Sequence, residues 1–175
     1  FAANPLIKKL LDIKDKSQQA TIAKPIKEFN PQPLYLEETK KTYQAKSIPK
    51  EYLNTIKSAS QRTDLEPALL ATILMKESEM GTNPKAKNIA EIREDAVIDL
   101  KNKKISVDLS TPSGVINAMA DYLKLRKTGT RFDESKFDIT NPVELYMKRY
   151  YSPKEGGKLD RKIFEHYLNS YRQIF

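Results

Sequence analysis

Residues 64–81, reading DLEPALLATILMKESEMG, describe a helix with no wet face. From Ala68 to Met75 nearly every side chain is apolar, and a helix that is apolar all round has to run through a core. The rest of the fold must therefore be built around this one element. Asp64 is the expected N-cap, and Pro67 suits the first turn, where its missing N–H costs little. Gly81 supplies a helix stop, and Glu77 and Glu79 come just before it. A carboxyl at the edge of an apolar core, near the negative end of a helix dipole, should hold its proton tightly. Such a group is suited to general-acid cleavage of a glycosidic bond.

The segments around this helix give the expected architecture. Tyr52, Leu53, Ile56 and Ala59 fall at helical spacing and predict a preceding helix that ends near Arg62. Residues 96–100 and 105–109, two runs with β-branched residues joined by Lys101-Asn102-Lys103-Lys104, predict a small β-hairpin. Ser110 or Thr111 then caps a helix with Pro112 in its first turn. Thr140-Asn141-Pro142 opens another helix, and Leu159, Ile163, Phe164, Tyr167 and Leu168 mark a last one over residues 158–175. The fold class expected is α+β, mostly helical, with one small hairpin. Residues 1–48 read as an extended N-terminal arm or linker, with a short amphipathic helix over residues 4–16 and Pro25, Pro31 and Pro33 further on. Phe29, Leu34, Tyr35 and Leu36 are the arm residues able to dock on the domain that spans 49–175.

Composition removes several functional classes. Cysteine is absent, which excludes a disulfide framework, a thiol nucleophile and Cys-based metal sites. No apolar run approaches the roughly 20 residues that span a bilayer. The net charge of +8 sits mainly in the leading segment. The first 50 residues hold ten lysines against five acids, and the remaining 125 hold 21 basic against 18 acidic residues. No Arg-rich helix or aromatic-basic motif accompanies that charge, so a nucleic-acid partner is not expected. A mildly basic protein also suits an anionic cell wall. His166, the one histidine, has no carboxylate and serine set around it in the sequence and reads as structural, against a triad or a zinc site. No metal or cofactor is implied.

The wording Glu77-Ser78 after an apolar helix, followed by Gly81-Thr82-Asn83-Pro84, resembles the active-site segment of the lysozyme-like superfamily. That superfamily includes goose-type lysozymes, soluble lytic transglycosylases and bacterial N-acetylglucosaminidases. Asn88-Ile89-Ala90 resembles the turn that leads into their β region, and residues 110–123 look like the helix after it. Met147-Lys148-Arg149-Tyr150-Tyr151 is similar to the late Tyr-Asn segment of lytic transglycosylases. The chain departs from that pattern in lacking their Gly-Leu-Met-Gln segment and in placing Tyr151 where asparagine is usual.

The resemblance implies a lysozyme-like domain that cleaves the glycan strand of peptidoglycan, with Glu77 as catalytic acid and Tyr150 facing it. Ser78, Asn88, Tyr150 and Tyr151 are the expected substrate contacts. A hydrolase needs a second carboxylate across the cleft, for which Asp99 and Asp108 on the expected hairpin are the candidates. A lytic transglycosylase does without one: the substrate's N-acetyl group assists and the same Glu returns as base. The alternative is a noncatalytic lysozyme-like structural module, associated with a cell wall or virion, whose arm engages a protein partner or assembly. The opening Phe1-Ala2-Ala3, as of a processed chain, goes with an expected location in the cell envelope, in the secreted fraction or on a virion.

Overall fold

Every side chain from Ala68 to Met75 is buried, and the helices of the domain are laid around that stretch. The structure is a computed structural model, which describes residues 28–127, 139–151 and 157–175. The short helix expected over residues 4–16 lies outside the described residues. In chain order the described elements are strands β1 (Leu34–Leu36) and β2 (Lys41–Tyr43), and helices α1 (Lys50–Thr63), α2 (Pro67–Ser78), α3 (Glu94–Asn102) and α4 (Pro112–Lys127). A short α5 (Pro142–Leu145) runs into a π-helix (Tyr146–Tyr151), and α6 (Gly157–Arg172) follows. The fold is mostly helical with one two-stranded antiparallel sheet. Among the described residues no helix is long and apolar enough to cross a membrane.

The helix α2 packs against α1, α4 and α6. Tyr52, Ile56, Ala59 and Thr63 make the buried stripe of α1 at three- and four-residue steps. Asp64 does not cap α2 as expected. It takes the left-handed conformation (φ 57°) and closes α1, its N–H bonded to the Ser60 carbonyl. Asp tolerates that conformation better than most residues, and the chain needs it to turn sharply from α1 into α2. Glu66 is the N-cap position of α2, with Pro67 in the first turn. The Glu66 carboxylate pairs with Arg172 at the end of α6.

Residues 96–109 do not form the expected hairpin. Residues 94–102 are the helix α3, and residues 105–109 belong to neither helix nor strand. Two local signals outweigh the β-branched Val97 and Ile98. Glu94 and Asp95 lie in the first turn, where the helix dipole favours negative charge. Ala96 and Leu100, one turn apart, bury together on the side packed against α4. This segment then passes the start of α4, where a Cβ on Gly114 would lie 1.9 Å from the Asp108 carbonyl oxygen. Thr111 caps that helix, its hydroxyl accepting from the Gly114 N–H at 3.0 Å.

The sheet lies instead in the segment read as an arm, with Leu34 opposite Tyr43 and Leu36 opposite Lys41. Strand alternation turns Leu36 into the core and leaves Tyr35 56% exposed. Phe29 stacks on Tyr171 at 5.5 Å, and the Tyr171 hydroxyl donates to the Lys46 carbonyl at 2.7 Å. His166 holds the Gln32 carbonyl at 2.7 Å, a structural bond between α6 and this segment. Residues 28–48 thus pack on the helical body along α6.

Candidate active site

Glu77 stands in the last turn of α2, where the buried helix reaches a cleft of about 390 Å³. The segment that follows α2 supplies Asn83, Lys85, Glu91 and Arg93 to the lining, and the π-helix supplies Tyr150 and Tyr151. The turn into that segment is tight. Glu79, Met80 and Gly81 are all left-handed, and a side chain on Gly81 would meet the Tyr52 hydroxyl at 2.6 Å. Gly81 is therefore needed for its conformation and for the room it leaves.

The π-helix gathers three tyrosine rings beside the acid. In an α-helix, residues four apart share a face; a π turn brings residues five apart into line as well. Tyr146 consequently stacks on both Tyr150 (5.9 Å) and Tyr151 (5.5 Å), and from behind on Phe164 of α6 (4.1 Å, interplanar 9°). Its hydroxyl donates to Glu77 Oε1 at 2.5 Å. Tyr150, the residue expected to face the acid, lines the cleft but donates its hydroxyl to the Ala90 carbonyl at 2.5 Å. Tyr151 is half-buried and fixed by α2 and α6. Its hydroxyl donates to Asp160 at 3.3 Å, and Lys76, ion-paired to Asp160 at 3.1 Å, lies 5.1 Å from the ring centre.

Burial raises the Glu77 carboxyl above the ordinary carboxylate value. The Tyr146 hydroxyl and the charges of Lys76 and Arg93 oppose that rise, whereas the charge of Glu91 adds to it. Burial, reinforced by the Glu77 charge, also raises the Tyr146 phenol, so the phenol stays a donor at any physiological pH. The result is an acid that keeps its proton longer than a solvated glutamate and whose anion has a donor already in place.

Comparison of the chain with protein-family models, curated proteins and solved structures gives no match. The chemistry of the cleft is therefore argued from its own geometry.

The remaining candidates are arranged differently from one another. Ser78 is fully buried; its hydroxyl contacts the carbonyls of Leu74 (3.0 Å) and Ile89 (2.6 Å) and accepts from the Gly81 N–H (2.9 Å). Asn88 folds the next loop, its Oδ1 accepting from the N–H groups of Ala90 (3.2 Å) and Ile92 (3.0 Å). Together with Tyr150, these side chains hold the backbone of residues 88–92 rather than line the cleft through their own polar atoms. What that loop presents is Glu91, itself left-handed (φ 50°), with Oε1 accepting from the Lys87 N–H at 2.7 Å. Asp99 lies on α3, and Asp108 is exposed and bonded to the N–H and hydroxyl of Ser110. Neither lines the cleft; the carboxylate that joins Glu77 there is Glu91. The turn-forming Asn88 was the sequence signal for that loop. The direction of the Glu91 side chain depends on a left-handed backbone that local sequence does not announce.

Tyr146→Phe should raise the Glu77 titration midpoint, because the lost donor stabilises only the anion. The fold should lose about 0.5–1.5 kcal/mol, as for one hydrogen bond. Carboxyl-carbon NMR of glutamate-labelled protein reads the midpoint directly. A lowered or unmoved midpoint would show that the phenol does not stabilise the anion.

Proposed function

We propose that this chain cleaves the glycan strand of peptidoglycan within a lysozyme-like domain, with α2 as the catalytic helix and Glu77 as general acid. The observation that carries the reading is the Glu77 carboxyl itself, raised by burial at the edge of a cleft and bonded by Tyr146. An acid of this kind protonates the glycosidic oxygen as positive charge develops on the sugar ring. The Tyr146 donor stabilises the carboxylate formed at that moment, and Tyr151 offers an aromatic wall for a sugar face. Two courses follow from there. Glu91 activates a water and the product carries a reducing end, or the substrate's N-acetyl group assists, Glu77 takes a proton back, and an anhydro sugar results.

The test is digestion of purified peptidoglycan by wild type, Glu77→Gln and Glu91→Gln, with mass spectrometry of the soluble products. Wild type should release products and Glu77→Gln none. Reducing-end products should go with a fall of about 10²–10⁴-fold in kcat for Glu91→Gln, the usual worth of a general base. Anhydro products should go with only a small Glu91→Gln effect. If wild type releases nothing, the enzyme reading fails and a noncatalytic glycan-binding or structural module replaces it.

A further inference from the structure

Lys76 comes directly before Glu77 in α2, yet its side chain does not line the cleft. The ammonium turns instead to α6, where it pairs with Asp160 Oδ1 at 3.1 Å. The pair is largely withdrawn from water, with side-chain exposures of 16% for Lys76 and 25% for Asp160. The other oxygen of Asp160 accepts from the Tyr151 hydroxyl at 3.3 Å, and Lys76 Nζ lies 5.1 Å from the centre of the same ring. Tyr151 stacks in turn on Tyr146, whose hydroxyl donates to Glu77. These contacts close a circuit that runs from Glu77 through Tyr146, Tyr151 and Asp160 to Lys76, and back to Glu77 across one peptide bond. Asp160 is the one link that α6 supplies.

The circuit keeps apart two charges that attract. Lysine has a flexible four-carbon stem, and an ammonium withdrawn from water needs an anionic partner. Without Asp160, the adjoining Glu77 carboxylate can take that place. Such a pair would favour the anion of Glu77 and strip the acid of its proton. We propose that Asp160 is a positioning residue of this site: by binding Lys76 it holds the ammonium against α6 and off the Glu77 carboxyl. Its part in catalysis rests on the glycan-cleaving reading above, whereas its effect on the Glu77 proton does not. Glu77 also faces Tyr146, Tyr150 and Tyr151 of the π-helix, and Glu91 and Arg93 from the loop after α2, Arg93 being ion-paired to Asp95 at 3.5 Å. Substitution at residue 160 leaves all of these in place.

Carboxyl-carbon NMR titration of the full, glutamate-labelled chain tests this in wild type, Asp160→Asn, Lys76→Met and the double variant. Asparagine keeps the size of the side chain and an oxygen for the Tyr151 hydroxyl, and loses the charge that holds Lys76. Asp160→Asn should lower the Glu77 midpoint by roughly one pH unit, the low end of what a cation within about 4–6 Å does to a carboxyl. Lys76→Met should raise the midpoint, because it removes a cation. A pair that served the fold alone would not move the midpoint in opposite directions from its two ends. With Lys76 already replaced, Asp160→Asn should lose most of its effect, since no ammonium is left to release. Asp160→Glu, which can still bind Lys76, should restore the midpoint towards wild type. An unmoved or raised midpoint in Asp160→Asn, a lowered one in Lys76→Met, or a fall of equal size with and without Lys76 overturns the inference. The pH profile of peptidoglycan digestion keeps the two readings apart. Where wild type cleaves, the alkaline limb of Asp160→Asn should move down with the Glu77 midpoint. Where wild type releases nothing, the enzyme reading falls, and the titrations still decide the part of Asp160.

Discussion

Under the proposed function, Glu77→Gln should lose glycan cleavage by about 10²–10⁴-fold in kcat and, at neutral pH, melt above wild type. The two effects share one cause. Burial disfavours the Glu77 carboxylate and so lifts its titration above the ordinary range. In the unfolded chain the same carboxyl titrates near about 4.3. Below that pH both states hold the proton and nothing is lost. As pH rises from there towards the folded-state value, the unfolded chain releases its proton first, and the stability of the fold declines. The decline ends once the folded carboxyl has titrated as well. Glutamine cannot titrate, and its carbonyl can still accept from Tyr146. The Tm difference between variant and wild type should therefore be smallest in acid, near pH ~4. It should widen in favour of the variant as pH rises to the folded-state titration and hold constant above it, by roughly 2–4 °C for each kcal/mol of relief in a chain of this size. Thermal melts across that pH range decide the matter. A gap that does not grow with pH would mean that the Tyr146 bond to the anion outweighs burial, and the case for a retained proton would fail.

The parts of this site that were legible in the sequence are those fixed by local chemistry. An apolar run bounded by Pro67 and Gly81 can only be a buried helix, and its last turn places Glu77 at the core edge whatever surrounds it. Caps at Thr111 and Asn141 were equally local, each side-chain oxygen bonding an N–H two or three residues on. The misplaced hairpin had another origin. Val97, Ile98, Ile105 and Val107 carry β-branched character, but what decides the conformation of α3 is the burial of Ala96 and Leu100 against α4, a partner many residues away. The true strands are three residues each, follow Pro31 and Pro33, and are stabilised by Leu36 entering a core made by later helices. The tyrosine that bonds Glu77 lies one turn before Tyr150, which lines the same cleft. Tyr146 and Tyr150 fit a helical face equally well, and only the tertiary partners, Glu77 for the one and the Ala90 carbonyl for the other, tell them apart. Glu91 enters the cleft through a loop folded by its own Asn88 and held from outside by Ser78 and Tyr150, two contacts from separate parts of the chain.

Phe164→Ala should destabilise the fold by about 3–5 kcal/mol, the usual cost of removing a fully buried phenylalanine, and should also disturb the acid without touching it. Phe164 has no exposed surface and lies flat against Tyr146 at 4.1 Å, so its ring is the backing of the phenol that bonds Glu77. Against a typical total of about 5–15 kcal/mol, such a loss leaves the protein folded but much nearer its midpoint. Two opposing consequences for Glu77 then have to be weighed. Water entering the vacated space would relieve burial and lower the titration midpoint; a Tyr146 ring that rocks into the space would weaken its bond to the carboxylate and raise it. A cavity lined by apolar side chains stays dry. The second effect should therefore win, and the Glu77 midpoint should move up, as in Tyr146→Phe. Phe164→Leu separates volume from ring shape. It should recover most of the stability, because it refills most of the volume, yet leave part of the upward shift, because a branched aliphatic cannot stack flat on the phenol. Chemical denaturation and carboxyl titration of the two variants test this together. If Phe164→Ala lost its stability with the Glu77 midpoint unmoved, Tyr146 would be held by the neighbouring rings of Tyr150 and Tyr151 alone, and α6 would have no part in tuning the acid.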